Sequence, residues 1–223
     1  MNAIHVARDG ALARVSLDRP THNVLDRALN RELATAIRAL DADPAVAVIV
    51  LDGGAGRGFS AGVEIGDHTH DRVGGMLADF HAAIRSLWAC DCVTIAAIHG
   101  FAQGGGFELA LACDLVVVEE DARLSFPEIG LGCYPPVAAA VLPSRVGWAV
   151  ACELVLGGEP FTPARAASLG LVNDVCAGGT LRAAIDRFAA PFLAKSPAVL
   201  REAKRALREG TGVGAAHALE RIE

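Results

Sequence analysis

Apolar and polar residues alternate over Ile4 to Ala7 and over Leu12 to Leu17, on either side of Asp9-Gly10. A period of two flanking a turn pair that tolerates positive φ predicts a β-hairpin. Leu29, Leu33, Ile37 and Leu40 then recur at helical spacing within Leu25 to Leu40, and Asp43-Pro44 closes that helix before a short apolar run, Val46 to Leu51. A Gly-rich loop, Asp52 to Gly62, leads to a helix from about Asp71 to Trp88 and a second buried strand, Val93 to Ile98. Gly104-Gly105-Gly106 comes next, then the apolar helical stretch Phe107 to Cys113 and a third buried strand, Leu115 to Val118. Beyond Pro143 the pattern turns helical: Val146 to Leu156, Pro163 to Leu169, Leu181 to Leu193 and Pro197 to Arg208.

Short apolar strands alternating with helices require crossover connections, and so predict an α/β fold around a largely parallel sheet with a helical C-terminal section. The expected division is one core domain over residues 1–195 and a C-terminal helical region over 196–223.

With 223 residues, 52% of them hydrophobic, the chain can bury a sizeable core. Its net charge is −6 and its basic residues are scattered, which excludes a nucleic-acid footprint or a polybasic membrane patch. No apolar run is long enough to span a bilayer, and Met1 to Gly10 lacks the pattern of a secretory signal, so the expected location is the cytoplasm. The six cysteines lie mostly in apolar segments without C-x-x-C pairs and read as reduced, packed thiols; Cys90-Asp91-Cys92 is the one close pair. Asp67-His68-Thr69-His70, with His81, offers metal-ligand atoms, but a polar loop entering a helix accounts for these residues, and no metal is expected.

Three segments carry candidate chemistry: Phe59-Ser60-Ala61-Gly62-Val63-Glu64, Gly104-Gly105-Gly106-Phe107-Glu108 and Phe126-Pro127-Glu128. Glycines at a strand-to-helix turn leave backbone N–H groups unobstructed, and the helix N-terminus adds partial positive charge; two such donors that converge can hold an oxyanion. Read alone, each segment has a plainer account. The glycines can be tight turns, Glu108 a helix N-terminal charge and Glu128 a surface loop carboxylate. Glu108, however, sits among Phe107, Leu109 and Leu111, where a solvated role lacks a polar face. The G-x-G-x-x-G spacing of a dinucleotide site is absent here.

Taken in order, these segments resemble the crotonase superfamily, the enoyl-CoA hydratase and isomerase family. The similarity runs from Leu17-Asp18-Arg19-Pro20 and Asn23-Val24-Leu25, through Phe59-Ser60-Ala61-Gly62 and His99 to Ala110, to Ala112-Cys113-Asp114 and Phe126 to Gly132. The resemblance implies a crotonase-like (ClpP/crotonase) fold of repeated ββα units. It implies an acyl-CoA thioester substrate with no separate cofactor, and a homo-oligomer, a trimer or dimer of trimers. By the same resemblance Val63 and Gly105 supply the oxyanion-hole N–H groups. Asn23, Val24, Ser60, Ala61, Gly62 and Gly104 line the coenzyme A and substrate path, and Glu108 and Glu128 act as acid and base.

Two carboxylates favour hydration over a double-bond shift; an enoyl-CoA isomerase and a non-catalytic acyl-CoA-binding member are the alternatives. Ser60 and Ser125 raise a protease with a Ser-His-Asp site as a rival, although neither has a nucleophile-elbow context. Where typical hydratases continue with a Gly-rich run, this chain has Cys133-Tyr134-Pro135-Pro136-Val137. That run, with Ser60 to His68 and Asp79-Phe80-His81, is similar to cyclohexa-1,5-diene-1-carbonyl-CoA hydratases, which places Tyr134 and Pro135 at the acyl group. Gly66 stands where some hydratases carry a lysine, and the only lysines are Lys195 and Lys204. The chain stops at Arg221-Ile222-Glu223, where the family continues for roughly another helix pair, so the C-terminal region is expected to be incomplete.

Overall fold

The computed structural model describes residues 3–210; the expected C-terminal region is covered to Gly210, and its remaining residues lie outside. Strands β1 (Ile4–Asp9) and β2 (Leu12–Leu17) form the antiparallel hairpin, with Gly10 at φ +56 in a turn centred one residue later than expected, on Gly10-Ala11. Helix α1 (Arg27–Asp41) begins at Asp26, whose carboxylate accepts from Leu29 N and supplies one of the bonds a helix start lacks. Then follow β3 (Val48–Asp52), α2 (Val73–Ala89), β4 (Val93–Ile98), β5 (Phe101–Gln103), α3 (Gly105–Ala112), β6 (Leu115–Glu119) and β7 (Arg123–Ser125). The remainder is α4 (Pro136–Val146), α5 (Trp148–Gly157), α6 (Pro163–Ser168), β8 (Asp174–Cys176), α7 (Leu181–Leu193) and α8 (Pro197–Gly210).

The main sheet has the order β1-β2-β3-β4-β6-β8, parallel from β2 onward. Its strands read as continuous apolar runs because both faces are covered. Along β3, Ile49 and Leu51 join the core shared with α1, α2 and α3, while Val48 and Val50 point to the opposite core shared with α7 and its Ile185 and Ala189. The apolar stripe of α1 (Leu29, Leu33, Ile37, Leu40) faces the first of these cores, as its spacing predicts.

Helix α8 is held mainly by charge. Lys204 donates to Cys92 O (2.7 Å) and lies 2.6 Å from Asp114, while Arg201 reaches Asp41 Oδ1 (3.0 Å) and Cys92 Sγ (3.0 Å). Asp41, Cys90 and Cys92 bring their ligand atoms within 4.8 Å of one another, but the Arg201 guanidinium already occupies two of them.

Sequence patterning misses four elements. β5, β7 and β8 have three residues each, too few for a period to show. α4 starts at Pro136, where the Tyr-Pro-Pro run reads only as stiffened backbone; proline suits a first helical position because no N–H is needed there and its φ is preset. α3 begins at Gly105 rather than Phe107, so the middle glycine of the triplet is the first helical residue.

Candidate active site

A small second layer positions the site. Strands β5 and β7 pair in parallel, and the 59–60 segment extends them: Phe59 N donates to Phe101 O (2.8 Å) and Gln103 N to Ser60 O (3.0 Å). On the other side Gly104 N donates to Ser125 O (2.9 Å), which ties the glycine triplet to the strand that leads to Glu128.

The Gly-rich loop is fastened from beneath. Asn23, fully buried at φ 49, donates from Nδ2 to the carbonyls of Gly53 (2.8 Å), Gly58 (3.1 Å) and Phe59 (3.1 Å), and its Oδ1 accepts from Arg19 N. Ser60 Oγ donates to Asn23 O (2.7 Å) and accepts from Gly62 N (3.1 Å). Both side chains are therefore spent on holding the loop, and a ligand there would meet backbone. Asn23→Ala removes the side-chain donor from all three carbonyls, of which Gly53 O keeps Gly56 N (3.1 Å), so we expect a loss of about 2–3 kcal/mol in denaturant unfolding. The fixed Ser60 hydroxyl, with no histidine hydrogen-bonded to it among the described residues, does not form a nucleophilic serine site.

Leu25 and Val63 form an isolated parallel bridge in which Leu25 N donates to Gly62 O (2.8 Å) and Glu64 N to Leu25 O (3.4 Å). In such a bridge the Val63 N–H lies on the side away from Leu25, and Gly105 is a near neighbour of Val63. There the packing is close: a Cβ added to Gly105 would lie 3.4 Å from Val63 N, and one added to Gly62 would lie 3.3 Å from Gly105 N. Among the described residues no acceptor takes the N–H of Val63 or of Gly105. Gly104, at φ 50 and ψ −128, occupies a conformation open only to glycine, and a Cβ there would fall 2.4 Å from Glu128 Oε1.

The two carboxylates meet the same cavity from different elements. Glu108 rises from the first turn of α3 and is 2% exposed; its Oε1 accepts from Ala138 N (2.8 Å) at the start of α4. Glu128 comes from the 3-10 turn Pro127–Leu131, is 8% exposed, and keeps a buried Oε2 without a hydrogen-bond partner among the described residues. Loss of water and the nearby Glu128 charge push Glu108 up to about 8, against bonds from Ala138 and Val137 that favour the anion. Burial pushes Glu128 up to about 7.

The cavity holds about 310 Å³ and is walled by Val73, Met76, Leu77 and Phe80 of α2, with His68, His81, Cys133, Tyr134 and Pro136. Val63, Glu108 and Glu128 share this lining. Tyr134 and Pro136 line it, whereas Pro135 is buried and does not. Val24 and Ala61 are half-buried beside the loop. The α2 wall is the part sequence reasoning missed. Val73, Met76, Leu77 and Phe80 stand at i, i+3, i+4 and i+7, one apolar face whose role as a cavity wall emerges only when α2 packs against α3. Lys204 is buried in its ion pair and is not free to meet a ligand phosphate.

A parallel sheet of this order covered by these helices is a crotonase-type fold, and solved structures bear out the architecture. DspI of Pseudomonas aeruginosa superposes with a TM-score of 0.90 at 31% identity, covering 97% of this chain and 84% of that one. Residues 7–220 match the enoyl-CoA hydratase/isomerase family, and the chain belongs to it. The 2,3-dehydroadipyl-CoA hydratase of Escherichia coli is 36% identical over 217 residues, 96% of this chain and 84% of that protein. The cyclohexa-1,5-dienecarbonyl-CoA hydratase of Thauera aromatica is 34% identical over 205 residues, 92% and 79% of the two chains. Among the described residues no helix is long and apolar enough to cross a membrane.

Proposed function

We propose that this protein adds water to an enoyl- or dienoyl-CoA thioester, across Cα=Cβ in an enoyl group and by 1,4-addition in a conjugated cyclic diene. The observation that carries this reading is the pair of buried, raised carboxyls in one cavity, Glu108 and Glu128, with the Val63 and Gly105 N–H groups close by. The thioester oxygen is held by those two N–H groups, which stabilise the enolate as water attacks Cβ. One carboxylate takes the proton of that water, and the other carboxyl delivers a proton to Cα of an enoyl group or to the far end of the conjugated diene in a dienoyl group. A C–O bond forms at Cβ, the π pair takes up a proton, and no change of oxidation state is required of the protein, so the reaction calls on no cofactor beyond the coenzyme A of the substrate.

The candidate acyl group is cyclohexa-1,5-diene-1-carbonyl. A short, mostly apolar wall closed by Tyr134 and Pro136 suits a compact ring, and the similarity to the Thauera enzyme supports it. Incubation with linear and cyclic enoyl-CoA thioesters, read by product mass, tests the reading. A gain of one water supports it; an isomer of unchanged mass would make the protein an isomerase, and no turnover on any member would leave only binding. We also place the protein in the cytoplasm, as a trimer or dimer of trimers, which would cover the exposed Trp148 and Leu156 of α5. Light scattering reads the assembly directly.

Because hydration needs one carboxyl ionised and its partner protonated, kcat/KM should follow a bell-shaped curve. Its limbs fall near the apparent values of the pair, about 7 and 8. The rate drops below the lower limb as the base is protonated, and above the upper one as the acid loses its proton. A profile flat from pH 6 to 9, roughly a unit beyond each limb, would contradict the assignment.

A further inference from the structure

Of the six cysteines, Cys133 and Cys152 are half-buried and the other four buried. Cys133 lines the cavity that holds both carboxylates, and its position is fixed against the turn that bears Glu128: its backbone N and its Sγ both donate to Glu128 O, at 3.2 and 3.5 Å. Glu128 lines the same cavity, and its Oε2 is buried with no hydrogen-bond partner among the described residues, which leaves it able to accept from a proton donor. Water is one donor that fits; a thiol is another. Resting on the acyl-thioester reading of the cavity, the geometry points to Cys133 as a covalent capture site, whose thiol adds reversibly to Cβ of an unsaturated acyl thioester in the place of water.

The step balances without any oxidant. The Cys133 S–H proton passes to the Glu128 carboxylate as an S–Cβ bond forms. The Cα=Cβ π pair moves to the enolate, and a proton returned to Cα completes a saturated thioether with the coenzyme A thioester intact. Reversal expels the thiol and restores the double bond. Burial and the two carboxylates hold the Cys133 thiol above its ordinary value, so it carries little thiolate and is a poor target for general alkylating reagents. Capture therefore needs the electrophile seated beside its base. The consequence is selective: acyl groups that hydrate slowly, or that present an unhindered Cβ, are held on the protein.

The test is acid-quenched intact mass and peptide mapping of the wild-type protein incubated with acryloyl-CoA, an unhindered enoyl thioester, with hydration followed in the same samples. The expected result is a mass shift equal to one probe per chain, located on the peptide containing Cys133. Excess butyryl-CoA should suppress it, and Cys133→Ala should lack it. Absence of the shift, or equal labelling of Cys152 that butyryl-CoA does not suppress, overturns the inference whether or not water is added. Hydration without an adduct therefore fails this proposal alone. An adduct at Cys133 without hydration supports it while failing the hydratase reading.

Discussion

Glu108→Gln and Glu128→Gln are each expected to lower kcat for hydration at least about 100-fold, with KM for the enoyl thioester changed far less. The loss of the enoyl thioester's ultraviolet absorbance measures it. Each carboxyl has a separate part in the proton inventory, so the single variants should be crippled individually, and the double variant should lose little more than the worse of the two. Glutamine preserves the shape and, at Glu108, the bond from Ala138 N, so the expected loss is one of proton transfer rather than of fold. Retained turnover in both variants would sink the two-carboxylate mechanism.

Stability should move the other way. Both carboxyls are raised from an ordinary value near 4.5, so between about 4.5 and about 8 the folded state binds more protons than the unfolded one. The contribution of these two groups is then fully present below about 4.5 and is lost as pH rises through about 7 to 8, where both must ionise in place. Glu108→Gln removes that ionisation, so above pH 7 the variant should unfold later than wild type, by on the order of a few kcal/mol. A protein that gains stability as it loses turnover is one that keeps a costly charge for chemistry.

How much of this was readable in advance differs by element. The alternation of β1 and β2, the stripe of α1 and the apolar runs of β3, β4 and β6 announce a covered parallel sheet, because burial on two faces leaves a direct compositional trace. The triplet Gly104-Gly105-Gly106 announces a special turn. That Gly105 opens the helix, and that Gly104 must lack a side chain to leave room for Glu128 Oε1, depends on contacts 24 residues apart in sequence. The same holds for Asn23. As a sequence position it reads as part of a turn near a ligand, yet it is a buried amide under three carbonyls of a loop 30 to 36 residues away. Short strands and the α2 wall were not legible, because three residues carry no period and one apolar face looks like any other until its neighbour is known.

The oxyanion donors are backbone groups, so the informative substitution is one that removes an N–H and keeps the turn. Gly105 is the first residue of α3, where proline is tolerated because its missing N–H has no helical acceptor to lose. Alanine at the same position adds a Cβ that meets Val63 Cγ1 at 3.0 Å and Phe80 Cζ at 3.3 Å, but it keeps the donor. Alanine reports the crowding at Cβ alone, whereas proline adds to it the loss of the N–H and a Cδ in the place of that hydrogen. Gly105→Ala should cost what a small displacement of Val63 and Phe80 costs, shared between KM and kcat. Gly105→Pro should lose a further 10²- to 10³-fold, roughly, concentrated in kcat, since the lost bond strengthens only as charge develops on the thioester oxygen. Binding of saturated butyryl-CoA to both variants, followed by calorimetry, reports the ground state; equal affinities with unequal kcat would place the loss in the transition state. Equal kcat in the two variants would mean that the Gly105 N–H does not hold the oxygen.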